Sequence, residues 1–232
     1  MSWPKTLIFD CDGVLVDSEL VSLSEVRKAL QGEGLVLTLD EVREHFLGMS
    51  GKIMLDYAES RLGRALPTDF HADLTRRVIS RFETELEGIA GIRDAIQALG
   101  LPACVASSST PERIRRSLEI VGYRDLFEPN LFSAQMVERG KPAPDLFLYA
   151  ARIMAVAPFD CLVIEDSVPG VVAACRAGIP VFGFTGGSHL KGTRQADRLR
   201  EAGAVLTFDD MQDLPRLILQ QTARTKTEVL AR

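Results

Sequence analysis

From residue 91 onward the chain alternates short apolar runs with helix-period segments, and this rhythm restricts the fold more than any other feature. PACVAS (102–107), Leu131–Phe132, CLVIE (161–165), PVFGF (180–184) and AVLTF (204–208) read as short strands. Helices are expected between them: at 92–99, from Thr110 to Gly122, from Pro144 to about Met154, at 168–177, near 194–202 and from about 210 to 220. Thr110 and Pro111 suit an N-cap and a first-turn residue, while Gly122 and Gly178 suit stops. Strands separated by helices of about 10 to 15 residues need right-handed crossovers, which build a parallel sheet of the α/β class. The final stretch, QTARTKTEVLAR, has no clear apolar face and is expected to fray.

One strand precedes this series. In TLIFDCDGVLVDSE (6–19) the run Leu7, Ile8, Phe9 ends on Asp10, Asp12 follows, and Gly13 lets the chain turn sharply. A buried strand that stops on an acid puts that acid at the sheet's carboxyl edge, where open α/β sheets bind ligands. Like charges ~4 Å apart cost about 4 kcal/mol at an effective dielectric of about 20, so two acids this close call for a cation or a proton. The plainer alternative is an Asx turn in which both acids cap backbone amides.

Residues 18–87 then read as helix upon helix. Ser18 suits the cap of a helix through about Leu30, which Gly32 and Gly34 end, and amphipathic segments follow near 39–47, 51–62 and 68–87. The expected organisation is a core of 1–17 and 88–232 interrupted by a helical cap domain of 18–87. Because Asp17 and Ser18 begin the excursion just after Asp12, the insertion is placed to act as a lid; the alternative is a subdomain that only adds stability.

The chain has 232 residues, 46% hydrophobic, enough for one or two domains with ~70% of the unfolded surface buried. A net charge of −5 argues against a nucleic-acid backbone or an anionic membrane as main partner. No apolar stretch reaches the ~18 residues needed to span a bilayer. Asp10, Asp12 and Asp17 interrupt what would be the apolar core of a signal peptide. The four cysteines (Cys11, Cys104, Cys161, Cys175) sit among apolar residues without a CxxC pair, which suits buried thiols in a reducing cytoplasm. Cys11, between two acids, should be a poor nucleophile because negative neighbours raise a thiol's pKa.

Three further segments matter. PACVAS stops on Ser107, VIEDS puts Glu165 and Asp166 at a strand end with Ser167 free to cap the next helix, and GKPAPD places Lys141 in a loop, where Pro142 disfavours helix and Pro144 starts one just after. Parallel strands share a carboxyl edge, so Asp10, Asp12, Ser107, Glu165 and Asp166 should converge there with Lys141. These types suit phosphoryl transfer, which needs positioning and charge neutralisation above all. Carboxylate oxygens suit Mg²⁺, a lysine supplies a compact positive charge, and a hydroxyl and backbone amides donate to phosphate oxygens. One carboxylate can attack phosphorus while a second serves as acid and then base.

DCDGVLVDS, VAS, GKPAPD and VIEDS resemble, in order and interval, the four motifs of the haloacid dehalogenase superfamily, and the similarity covers nearly the whole chain. The helical insertion is similar to the small four-helix cap of the branch holding phosphoglycolate phosphatase, β-phosphoglucomutase and sugar-phosphate phosphatases. The resemblance implies a Rossmann-like core and a transiently phosphorylated nucleophile, Asp10. It implies that Asp12 protonates the leaving oxygen and then activates water. It also implies Mg²⁺ held by Asp10, Asp166, the Asp12 carbonyl and Glu165, with Ser107, Ser108 and Lys141 holding the phosphoryl group. An acid at position 12 favours phosphate esters over dehalogenation. The implied activity is a Mg²⁺-dependent phosphatase acting on a small phosphorylated metabolite, a sugar phosphate or phosphoglycolate-like compound, as a monomer or weak dimer. The alternatives are a β-phosphoglucomutase-like mutase and a non-catalytic metabolite-binding or regulatory protein. Against the mutase, SELVSLSEVRKAL (18–30) lacks the histidine that β-phosphoglucomutases carry in the first cap helix.

The substrate-reading end is quieter. FLGMSGK (46–52) suits a flexible loop facing the core, with Lys52 a substrate contact or else a solvated helix start. Arg76 and Arg77, about 100° apart on a helix, can send at most one side chain into a cleft. His45 and His71 are expected at the surface. His189, in GGSHLKG, either borders the mouth of the site or sits in a connector. The runs Arg113–Arg116 and Arg198–Glu201 are expected to be solvated helix faces.

Overall fold

Six parallel strands form one sheet among the described residues, in the order β3-β2-β1-β4-β5-β6. They are β1 (Thr6–Phe9), β2 (Ala103–Ser107), β3 (Leu131–Ser133), β4 (Cys161–Glu165), β5 (Val181–Phe184) and β6 (Leu206–Phe208). The computed structural model describes residues 3–47 and 51–230. From β1 the chain builds outward through β2 and β3, then crosses back to place β4 on the other side of β1. The strand order therefore reverses between β1 and β4, and the crevice at such a reversal is where open sheets bind ligands.

Side chains alternate across the sheet with period two. Leu7, Phe9, Val105, Leu162, Ile164 and Phe182 point into one core layer, while Ile8, Cys104, Ala106, Val163 and Val181 point into the other. Of the five described helices between β1 and β2, the first four are α1 (Glu19–Gly32), α2 (Leu39–Phe46), α3 (Gly51–Leu62) and α4 (Phe70–Glu85). They bury Leu23, Leu30, Val42, Met54, Leu74, Val78 and Phe82. A reciprocal capping box between Thr38 and Glu41 starts α2. The chain leaves and re-enters the sheet layer at one place, where the Asp17 amide donates to the Glu87 carbonyl at 2.9 Å.

The remaining helices are α5 (Ile92–Leu99), α6 (Pro111–Ile120), α7 (Arg124–Phe127), α8 (Asp145–Ile153), α9 (Val168–Arg176), α10 (Gln195–Glu201) and α11 (Leu214–Leu230). The Thr110 hydroxyl caps α6 as expected, accepting from the Arg113 amide at 3.3 Å. Three expectations change. The one-turn α7 carries too little periodicity to be legible. The C-terminal stretch does not fray at 221: α11 continues to Leu230, because no glycine or proline stops it after Pro215 and Thr222 donates to the Trp3 carbonyl or that of Ile218. Cys175 is exposed on α9, whereas Cys11, Cys104 and Cys161 are buried free thiols.

Candidate active site

Asp10 is the first residue beyond β1, and its amide donates to the Ile164 carbonyl of β4 at 3.0 Å. Phe9 pairs with Ile164, so Asp10 stands level with Glu165 on the neighbouring strand. The chain then folds back on itself: Leu15 donates to the Cys11 carbonyl and Gly13 to that of Val16. Gly13 has φ +80°, and a Cβ there would fall on the Asp166 carboxylate and the His189 ring. Only glycine fits both the backbone and the space.

Lys141 reaches this edge from the loop before α8. Its Nζ lies 2.5 Å from Asp10 Oδ1, 3.5 Å from Glu165 Oε2 and 4.9 Å from the centre of the Phe147 ring. Ser167 caps α9 and also donates to Glu165 Oε1. Gly170 leaves the space that this carboxylate fills. The Asp166 carbonyl accepts from Gln195 Nε2 at 2.7 Å, and its Oδ2 lies 3.1 Å from His189 Nε2. Ser188 donates its amide and hydroxyl to Asp17, which pins the His189 loop against the β1 turn. Ser107 is buried at the end of β2 and accepts from the Ser109 amide at 3.1 Å.

Asp12 has every side occupied. Its Oδ1 accepts from Ser18 Oγ and Arg113 Nη2, both at 2.6 Å, and its Oδ2 accepts from Ser109 Oγ at 2.7 Å. The Ser18 hydroxyl therefore serves Asp12 and makes no cap bond to α1, contrary to expectation. Burial pushes the Asp12 carboxyl up, but the Arg113 charge and the three donors outweigh it and hold the pKa below the ordinary value.

The neighbouring acids shift the other way. Burial raises Asp10 well above the usual carboxylate range; Lys141 opposes, and Glu165, Asp166 and Asp12 add to the rise. Glu165 is pushed up to about 7 by burial, against the pull of Lys141 and with repulsion from Asp166. Lys141 stays charged, because Asp10 and Glu165 outweigh the cost of its burial. His189 is raised as well: burial opposes the charge, and Asp166, Glu19 and Asp17 favour it. One ammonium is too little positive charge for this cluster.

A divalent cation fits that deficit. Asp10, Glu165 and Asp166 each offer a carboxylate oxygen, all within 4.8 Å of one another, and the three are buried. Glu165 Oε2 is buried without a hydrogen-bond donor. An all-oxygen set of few carboxylates suits Mg²⁺. The Asp12 side chain is outside this cluster, consistent with a part for its backbone carbonyl alone.

These residues floor a cleft of about 410 Å³ that Asp10, Asp12, Ser107, Ser108, Lys141, Glu165 and Asp166 share with the inserted helices. Lys52 reaches its rim, exposed and paired with Asp56 at 2.6 Å; Gly48, Met49 and Ser50 of the expected flexible loop lie outside the described residues. Arg76 and Arg77 both turn to Asp73 and do not line the cleft. His71 is half-buried on the cleft wall beside Gly51, and His45 stacks on Tyr57 with ring centres 4.6 Å apart, so neither is a plain surface residue. Arg198 and Arg200 are exposed as expected. Arg113 is not solvated: it enters the site, and Arg116 pairs with Glu83 of α4. His189, expected at the mouth of the site or in a connector, is buried against Asp166, and Glu19 was also missed. Burial pushes the Glu19 carboxyl up to about 8, with Asp12 and Asp166 adding repulsion.

The haloacid dehalogenase-like hydrolase profile matches residues 4–178. The chain belongs to this family. Among curated relatives, the 6-phosphogluconate phosphatase of Escherichia coli is 31% identical over 94% of this chain and 96% of its own length. Hexitol phosphatase A of the same organism is 31% identical over 77% and 82%. Among solved structures, a haloacid dehalogenase-like protein of unknown function from Agrobacterium tumefaciens is 37% identical with TM-score 0.80, covering 94% of this chain and 99% of that one. A Deinococcus radiodurans family hydrolase with bound phosphate and sodium is 30% identical with TM-score 0.73, covering 96% and 98%. This chain is an enzyme of the family's phosphatase type. Among the described residues no helix is long and apolar enough to cross a membrane.

Proposed function

We propose that this enzyme hydrolyses the phosphomonoester of a small metabolite, a sugar phosphate or phosphoglycolate-like compound, through a phosphorylated Asp10. The observation that carries the reading is the meeting of Asp10 with Lys141, Glu165 and Asp166 at the β1–β4 reversal, beneath a cleft of metabolite size. The relatives named for 6-phosphogluconate and hexitol phosphates support a polyhydroxylated substrate.

Asp10 Oδ would attack phosphorus as the ester P–O bond breaks, and Asp12, having taken a proton from the bound phosphomonoester monoanion, would pass it to the departing alcohol oxygen. Asp12, then anionic, would take a proton from water as the water attacks the acyl phosphate, freeing inorganic phosphate and restoring Asp10. The donors around Asp12 favour its anionic form, which the second half-reaction uses. Lys141, the Ser107 hydroxyl and Ser108 would hold the phosphoryl oxygens, where charge accumulates. Asp10, Glu165, Asp166 and the Asp12 carbonyl would hold Mg²⁺, whose contribution when bound is to neutralise the phosphate and keep Asp10 ionised. Lys52, at the rim, is left the outer end of the leaving group. In this reading residues 18–87 act as a cap on a core of 1–17 and 88–232, and the enzyme works in the cytoplasm as a monomer or weak dimer on free metabolites.

The test is phosphate release with Mg²⁺ across a panel holding 6-phosphogluconate, hexitol phosphates, hexose phosphates and phosphoglycolate. Hydrolysis of a panel member, abolished by Asp10→Asn, is the expected result. An Asp10→Asn variant as fast as the parent would overturn it. Isomerised hexose phosphate in place of free phosphate would point to a mutase.

A further inference from the structure

Helix α6 starts at the same sheet edge as the acidic cluster, and its first turn carries Arg113. The guanidinium is largely enclosed, with 19% of the side chain exposed. Its Nη2 donates to Asp12 Oδ1 at 2.6 Å and to Ser22 Oγ of α1 at 3.0 Å. Its carbon lies 5.2 Å from the centre of the Phe82 ring of α4. Ser22 spends its own proton on the Ser18 carbonyl, so its oxygen is free to accept from the arginine. Three residues on, Arg116 Nε donates to Glu83 of α4 at 2.7 Å, which makes this face of α6 the seat for the inserted helices. One cation thus touches two inserted helices and the carboxylate at the mouth of the β1 turn.

We infer that Arg113 is a positioning residue that sets the Asp12 carboxylate when α1 and α4 are seated on the core. The inference rests on the reading of Asp12 as the proton-transfer group. Ser18 and Ser109 hold Asp12 through hydroxyls that rotate freely, whereas a guanidinium is planar and presents its donors in a fixed fork. The Phe82 face and Ser22 in turn hold the fork. With those helices lifted, Arg113 loses both supports, and its fork is free to turn away from Asp12. The proton-transfer group is then set only over an enclosed substrate, which ties chemistry to closure.

Arg113→Ala, Asp12→Asn and the double variant are compared with the parent, all with Mg²⁺, on 4-nitrophenyl phosphate, with circular dichroism to verify folding. Arg113→Ala should lower kcat about 10- to 100-fold, the range that misplacing a reacting group costs. Binding of inorganic phosphate, which uses no proton transfer, should stay within about threefold. Added guanidinium at millimolar concentration should restore part of the loss. The double variant should be no slower than Asp12→Asn alone, because residues acting as one unit are not additive. A kcat for Arg113→Ala within about threefold of the parent, or a double variant showing the product of both losses, overturns the inference. Should Arg113→Ala not fold, the same comparison is made with Arg113→Lys, which keeps the charge but lacks the planar guanidinium that fixes the direction of its donors. The two readings fail separately: a fast Asp12→Asn removes Asp12 from proton transfer, while a slow Asp12→Asn beside a fast Arg113→Ala removes only Arg113.

Discussion

Lys141→Ala separates phosphoryl-transfer machinery from an inert acidic cluster. The ammonium stands 2.5 Å from Asp10 and 3.5 Å from Glu165, with 4% of the side chain exposed. Its loss acts on stability and on rate with different magnitudes. Removing one partner of a buried pair costs about 3–5 kcal/mol when the other charge is stranded. Here a proton can take the cation's place. Glu165 already sits at about 7, and burial with repulsion from its neighbours raises Asp10 too. The stability loss should therefore fall at or below the lower end of that range. The rate has no such escape, because charge builds on the transferring group whatever the acids do. Losing a preorganised donor of that kind costs about 10²–10³ in kcat, or about 2.7–4 kcal/mol. The assay is kcat/KM for an aryl phosphate at saturating Mg²⁺, run beside urea unfolding. A folded variant with kcat/KM within about threefold of the parent would remove Lys141 from the transition state and refute the reasoning. Lys141→Arg should not rescue, since the planar fork is larger and the Phe147 ring lies only 4.9 Å from the present ammonium.

Three further outcomes are expected. Gly13→Ala should cost about 1–3 kcal/mol and most of the activity, since φ is +80° and the new methyl would displace Asp166; a parent-like melting temperature and rate would contradict this. Lys52→Ala should raise KM a few-fold at unchanged kcat if the rim contacts the leaving group, and an unchanged KM removes it from the site. Mg²⁺ should stabilise the enzyme more at pH 8 than at pH 5. Glu165 rises from 4.5 to about 7 on folding, so its contribution to metal-free stability is full below 4.5 and is lost as pH rises through about 7. Metal binding needs the ionised acids, and Mg²⁺ at a hundred times its Kd adds about 2.7 kcal/mol. Equal thermal shifts at both pH values would contradict this.

Asp10, Asp12, Ser107, Glu165 and Asp166 were legible because strand ends are local events and a parallel sheet brings its carboxyl ends together. Phe9 pairing with Ile164 then sets Asp10 beside Glu165. Lys141 was legible as a loop residue from Pro142 and Pro144, which follow it. What escaped lies across the chain: Arg113 meets Asp12 101 residues away, and the Arg113–Arg116 run reads as solvated until α4 packs on it. Ser18 reads as a helix cap by local preference, and a carboxylate brought beside it by the β1 turn takes its hydroxyl instead. The misses share a position. Glu19 is the first residue of α1, Arg113 the third of α6, and Gln195, which holds the Asp166 carbonyl, the first of α10. Each of these helices leaves from the edge where the strands end, so its first turn borders the site. Polar residues there face the site rather than open solvent, so position in the crossover, more than charge pattern, decides which of them border it.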